Sequence, residues 1–78
     1  MKSLIEYVAQ SLVDHPEAVT VREVRKGNAV SIALHVAKDD MGRVIGKNGR
    51  VANAIRILLR VAAARQGLRA TLDVEEPQ

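Results

Sequence analysis

The stretch from Ala29 to Ala37 alternates without a break, with Val30, Ile32, Leu34 and Val36 on one side and Ala29, Ser31, Ala33 and His35 on the other. A strand with that pattern has one face that must be covered and one that can meet water. The chain therefore has to build a sheet and a layer to lay on it. A second alternation comes late, with Leu68, Ala70, Leu72 and Val74 set against Arg69, Thr71, Asp73 and Glu75. Val19, Val21 and the Val24 region alternate more loosely, and Gly27-Asn28, after Arg25-Lys26, supplies turn residues for a hairpin into the 29–37 strand.

The covering layer is helical. Leu4, Ile5, Val8, Ala9, Leu12 and Val13 recur at helical spacing, and Ser3 with Glu6 reads as a capping box, so a helix is expected over about residues 4–14, with Pro16 beyond its end. Asp39 and Asp40 are expected to cap a short helix over about Met41 to Ile45. A longer helix is expected over about Arg50 to Gln66, closed by Gly67 as a left-handed cap. The order is α-β-β-α-α-β. The hairpin strands pair antiparallel, and the last strand, reached through two helices, can run parallel to its neighbour. This predicts an α+β fold, a three-stranded mixed sheet with helices packed on one face. Seventy-eight residues make one domain, 1–78, with a β-α-α-β core over about 29–75, a helix and strand over about 3–24 ahead of it, and a frayed tail from Glu76.

Composition removes several function classes. Cysteine is absent, which excludes disulfides, thiolate metal sites and a cysteine nucleophile. Arg56 and Arg60 interrupt the most apolar stretch and Glu6 the N-terminal one, so neither a membrane span nor a signal peptide is expected, and a cytoplasmic location is the default. His15 and His35 stand at no metal-ligand spacing, and no nucleophile, base and orienting group come together in the pattern, so neither a metal, a cofactor nor an enzyme is expected. Charge is segregated: seven basic residues and no acidic one lie between Gly42 and Arg69, whereas the rest of the chain carries five basic and nine acidic residues. That points to an anionic partner on one part of the surface, or to an arginine-rich solvated helix face.

The stretch Gly42-Arg43-Val44-Ile45-Gly46-Lys47-Asn48-Gly49-Arg50-Val51 is where such a partner would dock. Gly46 and Gly49, between two helices, let the backbone turn and let a ligand approach without meeting a Cβ. The next helix aims its first N–H groups at the same place, with Lys47 and Arg50 adding full charges, and a phosphate fits that chemistry. The alternative is a plain helix-turn-helix corner whose glycines serve only the turn. A nucleotide-hydrolysing Walker A loop is excluded by count, since Gly42 and Gly46 are one residue too close and Asn48 follows the lysine.

Val44 to Val51, followed by Ile55 on the next helix, resembles the signature of a KH domain, a V-I-G-x-x-G core between two helices. The α-β-β-α-α-β order resembles the type II, prokaryotic arrangement, and the resemblance covers essentially the whole chain. It implies single-stranded RNA binding without chemistry, with Gly46, Lys47, Asn48 and Gly49 as a clamp on the nucleotide backbone. By the same resemblance, Val44 and Ile45 pack the short helix and line the groove, and Arg43 and Arg50 flank the phosphate path. The family further implies a homodimer, association with a second, Jag-like KH protein (KhpB), and a role as an RNA chaperone or post-transcriptional regulator linked to cell elongation and envelope growth. A backbone clamp does not by itself tell RNA from single-stranded DNA. Tyr7 is the one aromatic residue, so base stacking of the kind used by RRM and many OB surfaces has nothing to stand on.

Asn53, Arg56 and Arg60 share a helix face, either as a basic rim of the groove or as an ordinary solvated surface. On the same helix Val51, Ile55, Leu58, Leu59 and Ala62 are expected in the core, leaving Ile57, Val61 and Ala64 as a second apolar stripe. That stripe is expected to be a subunit contact, though the first helix offers another cover. A dimerising protein-interaction scaffold with vestigial nucleic-acid binding is the alternative function.

Overall fold

The computed structural model describes residues 1–75, so the expected fraying from Glu76 lies outside the described residues. Three strands, β1 (Thr20–Lys26), β2 (Ala29–His35) and β3 (Arg69–Glu75), form one sheet in the order β1-β2-β3. The β1–β2 pair is antiparallel, with Val21 opposite Leu34, and the β2–β3 pair is parallel, with Val30, Ile32 and Leu34 opposite Ala70, Leu72 and Val74. Period-2 alternation thus brings Val21, Val30, Ile32, Leu34, Ala70 and Leu72 to one buried face. Val24 lies three residues from Val21 and so falls on the opposite face, where it is exposed.

Helices α1 (Lys2–Leu12), α2 (Met41–Ile45) and α3 (Arg50–Arg65) cover that face with Ile5 and Ala9, Val44, and Ile55, Leu59 and Ala63. Helix α1 starts earlier than its capping box predicts. Met1 takes the N-cap position and accepts the Ile5 N–H at 3.2 Å, which leaves Ser3 inside the first turn with no capping bond. Met1 then packs against the core, an apolar contact a start at Leu4 would lose. At the far end of α3, Gly67 is left-handed; its N–H bonds Ala64 O and the Leu68 N–H bonds Ala63 O, a Schellman closure that aims β3 back along α3.

One core assignment on α3 is corrected. Ala52, Ile55, Leu59 and Ala63 form its buried row, while Leu58 is 52% exposed. Leu58 sits about 100° around the helix from Leu59, which turns it toward Ile57 and Val61 rather than toward the sheet.

Asp40 is the one buried charged residue among those described. It stands at the N-cap of α2 but makes no capping bond there. Its Oδ1 accepts the Asp14 N–H and its Oδ2 the His15 N–H, both at 3.0 Å, and Arg43 Nε lies 3.4 Å from Oδ1. The carboxylate therefore satisfies the chain leaving α1 rather than the helix that follows it, which is why α1 stops at Leu12 and why α2 has a fixed seat. Burial raises its pKa, but the N–H groups of Asp14 and His15 and the charges of His15 and Arg43 outweigh it and hold the carboxyl below its ordinary value.

Candidate functional site

Helix α2 ends at Gly46, the 3₁₀ turn Lys47–Gly49 follows, and α3 begins at Arg50. Three of the four loop residues have positive φ: Gly46 (76°), Asn48 (58°) and Gly49 (75°). Gly46, at ψ 174°, occupies a region open essentially to glycine alone. A Cβ there would also run into the Val51 side chain and stand 2.9 Å from its backbone nitrogen. Gly49 is different. Its demand is the left-handed φ, since a Cβ would meet only Asn53 Nδ2 at 3.9 Å. Asn48 fills its left-handed position as a residue type that tolerates it.

The loop stands out from the surface with Lys47, Asn48 and Arg50 exposed. No side chain caps the first turn of α3, and Lys47 and Arg50 make no ion pair among the described residues. Two full positive charges, a helix N-terminus and a main chain stripped of side chains at Gly46 and Gly49 converge on one place.

The other expected site residues divide. Ile45 is 36% exposed at the end of α2 and presents surface. Val44 does not: it is fully buried, so its part is to hold α2 on the core, and its expected place in the groove wall is corrected. An inward-facing residue on so short a helix cannot serve both surfaces. Arg43 Nη2 lies 2.8 Å from Asp14 Oδ2 and its Nε 3.4 Å from Asp40, so its charge is met by two carboxylates. Asn53 and Arg56 do come together: Arg56 Nη1 donates to Asn53 Oδ1 at 3.1 Å, and its Nε donates to the Leu72 carbonyl at 3.3 Å. Arg56 thus braces α3 against β3 and keeps its charge, bonded only to neutral oxygens.

Beside that brace runs a cavity of about 270 Å³ lined by Arg56, Leu59, Arg60, Thr71, Leu72 and Asp73, among others. The contribution of β3 was not assigned from the sequence. The signal was in the topology: β3 is the last strand and pairs on one side only, so its other edge is left facing α3. Ile57, Val61 and Ala64 are exposed on the outward side of α3, together with Leu58. His35 Nε2 lies 3.1 Å from Glu75 Oε2 and His15 Nδ1 3.6 Å from Glu17 Oε1, and no group of metal-ligating side chains occurs among the described residues. No helix among them is long and apolar enough to cross a membrane.

An α-β-β-α-α-β chain on a mixed three-stranded sheet, with a G-K-N-G turn joining two of its helices, is a KH domain of type II, a non-enzymatic module. Residues 2–74 match the family described as KhpA/KhpB, KH domain, and the chain belongs to that family. It is 49% identical over 74 residues to the RNA-binding protein KhpA of Halalkalibacterium halodurans, spanning 95% of this chain and 97% of that one. Similar matches are the RNA-binding proteins KhpA of Clostridium acetobutylicum (45% over 74 residues; 95% and 99%) and Chlamydia pneumoniae (42% over 76 residues; 97% and 97%).

Proposed function

We propose that the chain binds single-stranded RNA through a backbone clamp formed by Gly46, Lys47, Asn48 and Gly49. The observation that carries this reading is the loop itself: a glycine-opened main chain with the cations Lys47 and Arg50, unpaired among the described residues, beside the start of α3. The names of the relatives agree with it in ligand. Ile45, Arg50, Asn53 and Arg56 border the strand's path, and the groove supplies aliphatic walls in place of stacking rings. Replacing Lys47 and Asn48 together by aspartate puts two negative charges where a phosphate must sit and keeps both glycines. RNA affinity, measured by fluorescence anisotropy, then falls about 100-fold or more with Tm little changed; retained affinity rejects the clamp.

A clamp that grips backbone rather than sequence suits an RNA chaperone or post-transcriptional regulator working in the cytoplasm, and we extend the family's link to cell elongation and envelope growth to this chain on that basis. Binding by one groove is weak and salt-sensitive, so two grooves in a homodimer gain by avidity. Ile57, Leu58 and Val61, each more than half exposed on one side of α3, with Ala64 beside them, support such a contact. The same stripe would serve association with a KhpB-type partner, and it favours the second reading, a scaffold whose main work is protein association. Val61→Glu separates the two: it converts dimer to monomer in sedimentation, and under the RNA reading single-site affinity for a short RNA survives. A parent chain monomeric at high concentration removes the dimer.

A further inference from the structure

The groove between α3 and β3 continues past Arg56. Next to the first cavity lies a second, of about 390 Å³, lined by Arg60, Leu68, Arg69, Ala70 and Thr71, and the two share Arg60, Ala70 and Thr71. Because β3 runs back along α3 after Gly67, the order along the groove from the loop is Arg56 with Leu72 and Asp73, then Arg60 with Thr71, then Arg69. Residue 60 lies about 16 Å along the helix from residue 49. We infer that this far end is a second phosphate subsite, which takes an internucleotide phosphate of a strand already held by the loop. The inference rests on the RNA-binding reading above and lengthens its footprint beyond the four nucleotides a KH clamp holds.

Charge and hydrogen bonding at this end both suit that ligand. Asp73, the acid of the groove, lines the first cavity and not the second. Arg60 and Arg69 both line this space, are exposed and pair with no carboxylate among the described residues, so two residues of fixed positive charge border it, and no acidic residue is among its lining. The strand edge adds a main-chain donor. The Arg69 N–H bonds Asn28 O on the β2 side, whereas the Leu72 carbonyl meets Arg56 on the groove side. A strand's polar groups alternate from side to side, so those of Ala70 face the groove with those of Leu72. A phosphodiester matches a pair of arginines and a backbone N–H better than an uncharged ligand does, and continuity with the loop supplies it from the same strand.

The test compares oligouridylates of four and eight nucleotides by fluorescence anisotropy over a range of salt. The octamer binds the parent about 10-fold tighter than the tetramer, with a salt slope steeper by roughly 0.7 for each added phosphate contact. Arg69→Gln leaves tetramer affinity and Tm unchanged and lowers octamer affinity about fivefold, taking roughly 0.7 from the octamer's slope. Arg60→Gln acts on the octamer in the same direction. Equal losses on both lengths make the arginines a diffuse field, and no loss on either makes them solvated; both results overturn the subsite while leaving the clamp in place. So does an octamer advantage that survives Arg69→Gln and vanishes on dilution to monomer, which belongs to paired grooves. A fall of octamer affinity to the tetramer's in millimolar inorganic phosphate at constant ionic strength, with the tetramer unchanged, overturns the strand-borne assignment and makes the pocket a free-anion site. A parent that binds neither length overturns the RNA reading itself.

Discussion

The two helices that meet at the loop carry cations of different standing. On α2, Arg43 is held by Asp14 and Asp40, and its charge is spent inside the protein. On α3, Arg50 and Arg60 meet no carboxylate among the described residues, and Arg56 bonds only to the oxygens of Leu72 and Asn53. Formal charge counted along the sequence treats all four alike. The structure sorts them by what stands opposite, and turns the field of the basic segment toward the α3–β3 side. One arginine is structural and sets the loop's seat; the others remain available to a ligand.

The contrast is broken most severely at the joint between the helices. Gly46→Ala forces a Cβ into Val51 at a φ that alanine avoids, so we expect a stability loss of at least about 2 kcal/mol by denaturant titration, together with loss of RNA binding. Gly49→Ala has room and meets only the φ penalty, roughly 1–2 kcal/mol. Equal costs at the two positions would mean that Val51 yields freely and that the collision has no weight.

A paired substitution sharpens the division itself. Arg50→Gln removes one phosphate contact, lowering RNA affinity about fivefold at 0.1 M salt and the salt slope by roughly 0.7, with Tm unchanged. Arg43→Gln does the reverse: Tm falls by a few degrees, because a partly exposed ion pair on a buried carboxylate is lost, and the salt slope stays where it was. A slope that drops for Arg43→Gln would place this residue on the phosphate path after all.

The smallest effect lies in acid. The Asp40 carboxyl is depressed in the folded chain, so the stability it contributes is fully present above its ordinary range, near pH 4, and is lost as pH falls through the depressed folded value. Thermal melts of the parent should therefore drop more steeply below pH 4 than those of Asp40→Asn, which starts lower at pH 7 because an amide nitrogen cannot accept a backbone N–H. Parallel curves would show that the carboxylate's two backbone bonds carry no linkage.

Local signals were legible and distant ones were not. Val30, Ile32, Leu34 and Val36 announced their buried face because alternation is a property of neighbours, and Gly46 and Gly49 announced a turn for the same reason. Asp40 was read as a cap because an aspartate before a short helix usually is one; its partners, the N–H groups of Asp14 and His15, lie 26 and 25 residues upstream. Arg43 was placed on the phosphate path by its position beside the loop motif, and its ion pair with Asp14 was hidden because that carboxylate belongs to the same upstream segment. Leu58 fell on the boundary between two apolar rows of one helix, where periodicity alone does not say which row meets the sheet. Ser3 and Glu6 carried a valid capping pattern that the packing of Met1 overrode.

The unequal demands at Gly46 and Gly49 also bear on how such a chain can drift. Every single-base change that alters a glycine codon's meaning adds a side chain or ends the chain, and at position 46 any side chain meets both the collision and the forbidden backbone region. Position 49 asks only for a left-handed residue, which asparagine already supplies next door at Asn48. A path through aspartate or serine leads there without a forbidden step. As far as folding alone decides, descendants of this sequence are therefore free to explore the second glycine of the loop while the first stays frozen.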